Sequence, residues 1–548
     1  MSNTRAVVVE AADAVEVEHE RPIRALVLDV VARGSEAAVP EPAADSSGRP
    51  ARTWWGVAAL VGIGAVALLV RVWRLDALGF NSDEAVYAGQ AAALAGNPGY
   101  VGLFPAFRAH PLLFQAILSP VFRVGDVDVA GRVVVALFGV ATVFAVYLLG
   151  ARLFGRRVGL LAALLVAVMP YHVVVTRQVL LDGPMVLFST LIIYCFVRFV
   201  ESERLAWFVA AGGVLGVAML TKETSVVLAG AVYAFLALTP QIRRPVRYSL
   251  VALTAAVAVF AAHPISQALA GRAATGKSYL VWQLFRRPNH PFGFYAETVP
   301  LAIGLLVVAA ALGGLWWLRR ERSWRETLLL SWILVPVVFF QVWPVKGFQY
   351  LLPIVTPMAV LAARGLLSLP LPRRLSSPRL APALRAAAVG VVVLSLLVPT
   401  WSAISRQDAT TFLAGSGGVP GGRETGRWLA ENTPAGSVVL TLGPSMANII
   451  QYYGHRRSYG LSVSPNPLHR NPSYVPLPNP DWYLRHNEMQ FIVWDAFSAD
   501  RSPFFAERLI TLARRYHGRV VHTEYVQGKD AKGFSVQIPV IVVYEVRP

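Results

Sequence analysis

Long apolar stretches dominate this sequence and restrict its fold more than any other feature. About eleven of them lie between Trp54 and Ser402, and each approaches the roughly 17–25 residues that a helix needs to cross a bilayer. They cover approximately residues 54–72, 129–150, 157–175, 183–200, 205–220, 224–239, 247–263, 299–318, 326–343, 350–368 and 384–402. Only helices and closed barrels satisfy their backbone polar groups within lipid. The sequence therefore predicts an α-helical polytopic membrane protein with about eleven transmembrane helices.

Composition supports this class and excludes others. Hydrophobic residues make up 55% of the chain and charged residues 15%, against roughly 25% charged residues in ordinary soluble domains. A mainly soluble or disordered protein is thereby excluded. The net charge of +18 would suit nucleic acid, but the basic residues flank apolar stretches, where they act as topology signals, so we predict no nucleic-acid partner. With Cys195 as the single cysteine, a disulfide framework or thiolate metal cluster within one chain is excluded.

Arginine-rich runs alternate with arginine-poor connections, and this alternation predicts the orientation of the chain. The runs are Arg152/Arg156/Arg157, Arg198/Arg204, Arg243/Arg244/Arg247, Arg319/Arg320/Arg322/Arg325 and Arg373/Arg374/Arg379/Arg385. Basic residues near span ends favour the cytoplasmic side. We therefore expect a multi-pass plasma-membrane protein with a disordered cytoplasmic tail at residues 1–52 and a transmembrane domain at 53–402. Its loops 73–128 and 264–298 face outward, and Pro111–Phe122 is expected to be an interfacial helix because it is too short to cross.

The composition of the sequence changes after the last apolar stretch, from mainly apolar to mixed polar and apolar residues. Residues 403–422 end in the glycine-rich Gly415–Gly422 and predict a linker without the G-x-G-x-x-G spacing of a dinucleotide site. Helical and strand patterns alternate beyond it. The expected helices cover 423–432, 446–453 and 504–516, and the expected strands cover 438–442, 491–494, 520–525 and 540–546. The sequence thus predicts an extracytoplasmic α/β domain at residues 423–548.

Unusual polar residues concentrate at the predicted outer ends of the spans. They are Asn81 to Glu84, His110, Arg177 to Asp182, Lys222, Glu223, His290, Tyr295 and Lys346 to Tyr350. Acids and bases at a membrane boundary are costly unless they are paired or face water. Such a cluster on one side predicts a polar cavity that opens outward.

Asp83 and Glu84 follow the first span and begin a helical pattern. A carboxylate there, at the mouth of a cavity, suits a general base within reach of an acceptor hydroxyl. The alternative is a pair of acids that only cap the helix and face solvent. The pattern alone leaves both open.

Several cations are expected on the same side of the membrane. They are His110, Arg177, Lys222, Arg286, Arg287 and Lys346. Together they would suit a phosphate or pyrophosphate leaving group. The structural alternatives are a salt bridge between Arg177 and Asp182 that holds their turn, and an equivalent role for Lys222 and Glu223.

The outer loop 264–298 combines aromatic and basic side chains. It contains Trp282, Phe285, Phe292, Phe294 and Tyr295 among Arg286, Arg287 and His290. An interfacial aromatic belt explains this composition. A lid over a lipid-linked sugar, with arginines on the phosphate and aromatic rings on the sugar, explains it equally well.

The order of five short motifs resembles the GT-C membrane glycosyltransferases. The motifs are Phe80 to Ala88 around Asp83-Glu84, His110-Pro111-Leu112-Leu113, Arg177 to Asp182, Leu220-Thr221-Lys222-Glu223, and Lys346 to Tyr350 followed by Leu351-Leu352-Pro353. They most resemble glycosyltransferase family 39 and its bacterial relatives, which include protein O-mannosyltransferases and the aminoarabinose transferases that modify lipid A. The resemblance runs from about residue 54 to 368. Each motif is short, and their order and sidedness carry the specificity.

The resemblance implies an inverting transferase that uses a polyprenyl-phosphate-linked sugar on the outer face of the plasma membrane. It makes Asp83 the catalytic base and Glu84 or Asp182 a second acid that orients the acceptor or the helix. The implied phosphate partners are His110, Arg177, Lys222 and Lys346. His110 stands where some relatives carry lysine, and a histidine that is neutral at the outer pH would not give a fixed charge contact.

The resemblance leaves several partners open. The acceptor is a lipid, a glycan or a protein. No cofactor is assigned, and a divalent metal is left open because relatives differ in metal use. The C-terminal domain lies outside the family core and is expected to serve acceptor recognition.

Two other functions fit parts of the sequence. A transporter or flippase of lipid-linked glycans would use the same outward cavity, but it predicts acids deep in several spans and matched broken helices, whereas these spans are nearly free of acids. A membrane anchor that displays a binding domain would not require about eleven spans.

Overall fold

The computed structural model describes residues 51–105, 110–123, 128–242, 245–372, 377–406, 419–529 and 534–548. Residues 1–50 of the expected cytoplasmic tail and 407–418 of the expected linker lie outside the described residues. Residues 59–548 form one compact unit.

Helices make up most of the described chain as far as Ile404. They are α1 (Ala51–Val72), α2 (Ser82–Leu94), α3 (Pro98–Val101), α4 (Leu113–Leu118), α5 (Asp128–Phe154), α6 (Arg156–Val168), α7 (Pro170–Val175), α8 (Asp182–Ser202), α9 (Leu205–Thr221), α10 (Val227–Leu238), α11 (Val246–Phe260), α12 (Ala262–Leu269), α13 (Ala273–Leu284), α14 (Phe294–Ile303), α15 (Leu305–Trp317), α16 (Trp324–Val342), α17 (Val355–Leu367) and α18 (Leu380–Ile404). Short 3₁₀ helices at Val121–Arg123, Glu223–Val226, Pro240–Ile242, Arg319–Glu321 and Phe348–Ile354 connect some of them.

Seven helical segments of the described chain are long and apolar enough to cross a membrane. They are Trp54–Val72, Asp128–Phe154, Asp182–Ser202, Val246–Leu269, Trp324–Val342, Phe348–Leu367 and Leu380–Ile404. The bent pair α14 and α15 would be an eighth if it forms one span, and Leu205–Thr221 and Glu223–Leu238 are shorter apolar helices. Each of the eleven predicted stretches therefore falls on one helix or one broken pair, and the multi-pass helical fold is confirmed. The number of spans stays a prediction.

Two of the predicted stretches are broken, for identifiable reasons. The stretch 157–175 divides at Pro170, which begins α7 because its ring cannot continue a helix without losing a hydrogen bond. The stretch 299–318 divides at Gly304, where α14 and α15 meet at 91°. Gly304 has a φ of 100° and lies against the Leu396 side chain, so only a glycine suits this position. The short segment expected at Pro111–Phe122 is observed as α4 and a following 3₁₀ turn.

Glycines allow close packing of the membrane helices. A Cβ atom added at Gly159 of α6 would lie 2.6 Å from the carbonyl oxygen of Tyr147 in α5. One added at Gly216 of α9 would lie 2.6 Å from that of Ala256 in α11. Small residues at such contacts let helix backbones approach, which is how helices associate where water supplies no driving force.

The C-terminal part contains a five-stranded sheet with helices. Its elements are α19 (Gly422–Asn432), β1 (Val438–Thr441), α20 (Pro444–Gly454), β2 (Arg457–Gly460), α21 (Pro480–Arg485), β3 (Phe491–Asp495), α22 (Ala496–Arg501), α23 (Pro503–Arg515), β4 (Arg519–Lys529) and β5 (Ser535–Glu545). The strand order is β2-β1-β3-β5-β4, parallel from β2 to β3 and antiparallel across β5 and β4. The predicted α/β architecture is thereby confirmed, with β2 as an additional strand.

This α/β part packs directly on the loop that follows α1. Phe80 packs against Tyr452 with ring centroids 5.0 Å apart, and Tyr100 lies 5.4 Å from the same ring. The Tyr453 hydroxyl accepts a hydrogen bond from the Phe80 amide at 2.8 Å and donates one to Asp128 Oδ2 at 2.5 Å. The loop and the sheet domain share one hydrophobic core. The C-terminal part is therefore fixed against the region that carries Asp83.

Candidate active site

A polar cavity of about 330 Å³ lies between the membrane helices and the C-terminal part. Its walls contain charged residues from several separated segments of the chain. The charged and histidine residues that line it are Asp83, His110, Asp182, Lys222, Glu223, Arg286, His290, Lys346 and Arg501. The fold thus brings residues from the segment that follows α1 and from the C-terminal part into one cavity.

Asp83 reaches this cavity from the first turn of α2. Asn81 is the N-cap, and its side-chain oxygen accepts from the amides of Asp83 at 2.9 Å and Glu84 at 3.0 Å. Glu84 completes a capping box by accepting from the Asn81 amide at 3.1 Å. This reciprocal cap fixes the backbone beneath Asp83, whose half-buried side chain lines the cavity. The N-terminal end of the helix also stabilises a carboxylate there.

Glu84 points away from the cavity and holds the loop together. Its two oxygens accept from Nε and Nη2 of Arg132, both at 2.8 Å, and one also accepts from the Val179 amide at 2.9 Å. The side chain is buried. Glu84 therefore orients helix α2. Of the two candidates for the second acid, Glu84 and Asp182, only Asp182 lines the cavity.

Asp182 forms a buried ion pair with Lys222. Lys222 Nζ lies 2.7 Å from Asp182 Oδ1 and 4.5 Å from the ring centroid of Tyr350. The alternative expected for this turn, a salt bridge between Arg177 and Asp182, is not what the structure shows. Because Asp182 begins α8 and Lys222 directly follows α9, the pair joins two helices at the cavity.

His110, Glu223 and Tyr279 form a second polar cluster in the wall. His110 Nδ1 lies 3.0 Å from Glu223 Oε2, and the Tyr279 hydroxyl lies 3.3 Å from both Glu223 Oε1 and His110 Nε2. Burial, followed by the charge of Glu223, raises the pKa of Tyr279 well above its usual value. Tyr279 therefore remains a neutral hydrogen-bonding group at physiological pH.

Cations occupy the side of the cavity formed by the 264–298 loop and the Lys346 segment. Lys346 is buried, and its Nζ donates to the carbonyl oxygens of Gln341 at 3.2 Å and Trp343 at 3.3 Å. The Arg286 guanidinium lies 4.3 Å from the Trp282 ring centroid. Burial, and then the charges of Arg501 and Lys346, lower the pKa of His290. This side of the cavity therefore carries positive charge from the lysine and arginine side chains, and the His290 imidazole among them is neutral.

Three of the residues expected at the site do not line the cavity, besides Glu84. Arg177 donates to the carbonyl oxygens of Val70 at 2.9 Å, Arg71 at 3.1 Å and Trp73 at 2.6 Å, on the far side of the loop that connects α1 to α2. Arg287 is exposed. Tyr295 is buried behind the wall, and its hydroxyl accepts from the Gly347 amide at 3.2 Å.

Sequence reasoning missed the residues that the C-terminal part contributes. Ser445 at the start of α20, Asn471, Tyr474 and Arg501 line the cavity opposite the membrane helices. Asn448 of α20 donates to Ser82 Oγ at 3.0 Å, next to Asp83. No motif identified these residues, because their role depends on how the sheet packs. Tyr87 had a usable signal, since it stands four residues after Asp83 on one helix face.

Within the described residues, no group of three or more His, Cys, Asp or Glu side chains is arranged to hold a metal ion. Two of the cavity's acids each contact a cationic or basic side chain instead: Asp182 contacts Lys222, and Glu223 contacts His110. Metal use stays open.

Comparison with known proteins gives both a sequence match and fold matches. Residues 109–266 match the family model of the dolichyl-phosphate-mannose-protein mannosyltransferases. This range contains His110, Asp182, Lys222 and Glu223, and Asp83 precedes it. A search of curated protein sequences gave no match.

Solved structures share the fold over most of the chain. ArnT from Cupriavidus metallidurans in the apo state is similar with a TM-score of 0.64 and 15% identity, over 90% of this chain and 98% of that one. The same enzyme bound to undecaprenyl phosphate gives a TM-score of 0.63 with 15% identity and the same coverage. The archaeal oligosaccharyltransferase AglB from Archaeoglobus fulgidus, in complex with an inhibitory peptide and a dolichol-phosphate, gives 0.56 and 15% identity over 89% of this chain and 75% of that one.

The fold matches cover the membrane helices and the C-terminal sheet together. The sequence match adds an enzyme family over residues 109–266. The chain is therefore a multi-pass helical membrane protein that shares the fold of ArnT and AglB over most of its length, and its residues 109–266 match a mannosyltransferase family.

Proposed function

We propose that this protein is a GT-C glycosyltransferase that transfers a sugar from a polyprenyl-phosphate-linked donor to an acceptor hydroxyl at the outer face of the plasma membrane, by a single inverting displacement. The observation that carries the proposal is the shared cavity. One wall presents Asp83, and another presents Arg286 and Lys346. A base and a set of cations in one water-facing chamber are what transfer from a phosphate leaving group requires.

The placement of Asp83 favours it as the base. Asp182 is neutralised by Lys222 and Glu223 faces His110, so each already stabilises a cation. The Asp83 amide donates to the Asn81 side chain at the start of α2, and the Asp83 side chain lines the cavity. The pairing also removes Lys222 and His110 as the main phosphate partners. We assign the phosphate to Arg286 and Lys346.

The proposed reaction balances without a nucleotide. The acceptor oxygen attacks the anomeric carbon of the donor, and its proton passes to the Asp83 carboxylate. The bond between that carbon and the phosphate oxygen breaks, and the phosphate leaves with the electron pair. Arg286 and Lys346 would stabilise the charge that develops on the leaving group. Attack opposite the leaving group inverts the anomeric configuration.

Helix length supports the outer-face assignment. Helix α5 begins at Asp128, which bonds Tyr453 of the C-terminal part, and ends near Arg152. Its 27 residues extend about 40 Å at 1.5 Å per residue. The predicted cytoplasmic run Arg152/Arg156/Arg157 therefore lies at the opposite end of the membrane helices. The positive-inside rule then supports a cavity that faces outward.

The solved relatives support the class of donor. ArnT has been solved with undecaprenyl phosphate and AglB with a dolichol-phosphate. Both are lipid phosphates, and both proteins share the present fold. We carry this donor class over as part of the proposal.

Replacement of the base tests the function. We expect Asp83→Asn to lower transfer from a polyprenyl-phosphate sugar by about 10²–10⁴-fold, the usual worth of a positioned general base. The assay uses membranes that contain the full-length protein and a radiolabelled donor. Asp76→Asn is the matched control, because Asp76 lies exposed on the same loop outside the cavity and should leave transfer unchanged. Transfer retained by Asp83→Asn would refute the assigned base.

A further inference from the structure

A second basic cavity lies on the other side of the loop that connects α1 to α2. Its volume is about 60 Å³. Among the described residues, Glu84 is the single carboxylate that lines it. Four arginines line it as well: Arg74, Arg132, Arg177 and Arg406. The proposed sugar transfer uses none of the four. We call this group the arginine pocket.

The acid of the arginine pocket is already neutralised. Both side-chain oxygens of Glu84 form ion-pair contacts with Arg132. Arg177 donates to backbone oxygens at the C-terminal end of α1. Burial, followed by the nearby charge of Arg132, lowers the pKa of Arg177 to about 10. An anion in this pocket would therefore relieve repulsion between the arginines.

The arginine pocket lies where two apolar helices end. Helix α1 ends at Val72 and α18 at Ile404, and residues just beyond each end line the pocket. Trp73 and Trp401 stand beside it, with ring centroids 5.3 Å apart and with 40% and 45% of their surfaces exposed. Exposed tryptophans at span ends mark the headgroup level of a bilayer. An anion available at this depth is a lipid phosphate.

We propose that the arginine pocket binds the phosphate headgroup of an anionic phospholipid from the surrounding bilayer. Arginine suits this role because its planar fork donates in pairs to phosphate oxygens. Arg74 and Arg406 are exposed and would face the headgroup, while Arg132 and Arg177 lie deeper. The aromatic pair would contact the glycerol and upper acyl region.

The arginine pocket also connects physically to Asp83. Arg132 donates to the carbonyl oxygens of Leu75 at 2.6 Å, Leu78 at 2.6 Å and Gly79 at 3.0 Å, and it holds Glu84 of the capping box. A bound headgroup would thus stabilise the loop whose next helix presents Asp83. The site does not depend on the proposed sugar transfer, and it is tested by lipid binding alone.

The experiment measures the first anionic lipid that binds the full-length protein. Phosphatidylglycerol is titrated into delipidated protein in detergent, and native mass spectrometry gives the apparent Kd. We expect the double variant Arg74→Gln/Arg406→Gln to bind about thirtyfold more weakly, since each basic side chain near an anionic surface is worth roughly fivefold. Phosphatidylcholine should bind both proteins equally weakly.

Two controls make the outcome decisive. Arg204→Gln/Arg320→Gln removes the same charge from exposed positions in the predicted cytoplasmic connections and should bind as the wild type does. Arg74→Lys/Arg406→Lys should recover only part of the lost affinity, because lysine restores the charge but not the paired donors of the guanidinium. Equal affinity of the Gln variant and the wild type would overturn the proposal. Displacement of the lipid by millimolar inorganic phosphate would identify a free anion as the ligand and would also overturn it.

Discussion

At the scale of single residues, the pairing of acids with cations decides which side chains remain for substrate. The sequence places Lys222, His110, Arg286 and Lys346 on one side of the membrane, and all four line the cavity. The structure then divides them. Lys222 and His110 hold carboxylates at 2.7 and 3.0 Å, whereas Lys346 donates to backbone carbonyls and Arg286 lies on an indole ring.

Neighbouring arginines offer a matched test of this division. Arg286 lines the cavity and Arg287, one position later, is exposed and does not. We expect Arg286→Gln and Lys346→Gln each to lower kcat/KM for the lipid-linked donor by about 10–100-fold, the worth of one charge-assisted hydrogen bond. Steady-state kinetics over a range of donor concentrations measures this. Arg287→Gln should stay within about twofold, and an equal loss in all three variants would contradict the assignment.

Such pairings are not readable from the sequence. Asp182 and Lys222 are 40 positions apart, and His110 and Glu223 are 113 apart. A motif can place each residue at the outer end of a helix, but the partner depends on which helices are neighbours. That is why Arg177 was expected near the phosphate although it caps the end of α1.

At the scale of elements, short helices carry side chains to the cavity wall. Asp495 ends β3 and caps α22 by accepting from the Ser498 amide at 2.7 Å, and α22 ends at Arg501, which lines the cavity. Asp495 Oδ2 is buried and has no hydrogen-bond partner in the described part of the chain. Burial raises the pKa of Asp495, and the hydrogen bonds from Ser498 oppose this only in part. The charged cap therefore costs stability.

The pH dependence of stability tests this account of Asp495. The pKa of Asp495 in the folded state is raised above the unfolded value of about 3.9, so the folded state binds the proton more tightly. Stability therefore falls as the pH rises from the unfolded pKa through the raised folded-state pKa. Asparagine caps a helix as well as aspartate and carries no charge. We expect Asp495→Asn to match the wild type near pH 4 and to have the higher Tm at pH 7–8. A Tm difference that does not change with pH would contradict the prediction.

Element boundaries show what the sequence could and could not predict. The long apolar stretches and strands β1, β3, β4 and β5 were predicted, because apolar runs and alternation report burial directly. Strand β2, at Arg457–Gly460, was missed because its four residues contain two small ones and an arginine. It is a strand only because β1 pairs with it in parallel.

At the scale of the whole molecule, the membrane helices and the C-terminal sheet act as one body around the cavity. Their shared core includes Phe80, Tyr100, Tyr452 and Tyr453, and the Tyr453 hydroxyl links the Phe80 amide to Asp128. The sequence predicted an α/β domain beyond a linker, and its expected role in acceptor recognition stays a proposal. What the sequence could not predict is that this domain completes the cavity.

Cleavage of the connection between the two parts tests their association. A protease site inserted within residues 407–418 allows the purified protein to be cut. We expect the two fragments to remain associated in detergent during size-exclusion chromatography and to retain most of the transfer activity, because buried apolar contacts hold them together. Tyr453→Phe combined with Phe80→Ala should release the C-terminal fragment. Separation of the two fragments after cleavage alone, without these substitutions, would contradict the single-body description.

The most direct measurement is a structure of the Asp83→Asn protein with a polyprenyl-phosphate sugar bound, in lipid nanodiscs. Our account predicts the donor phosphate against Arg286 and Lys346. It also predicts that the anomeric carbon faces the substituted side chain, with room for an acceptor oxygen between them. A donor phosphate bound at the arginine pocket, or a sugar on the side of the membrane where Arg152 lies, would contradict it.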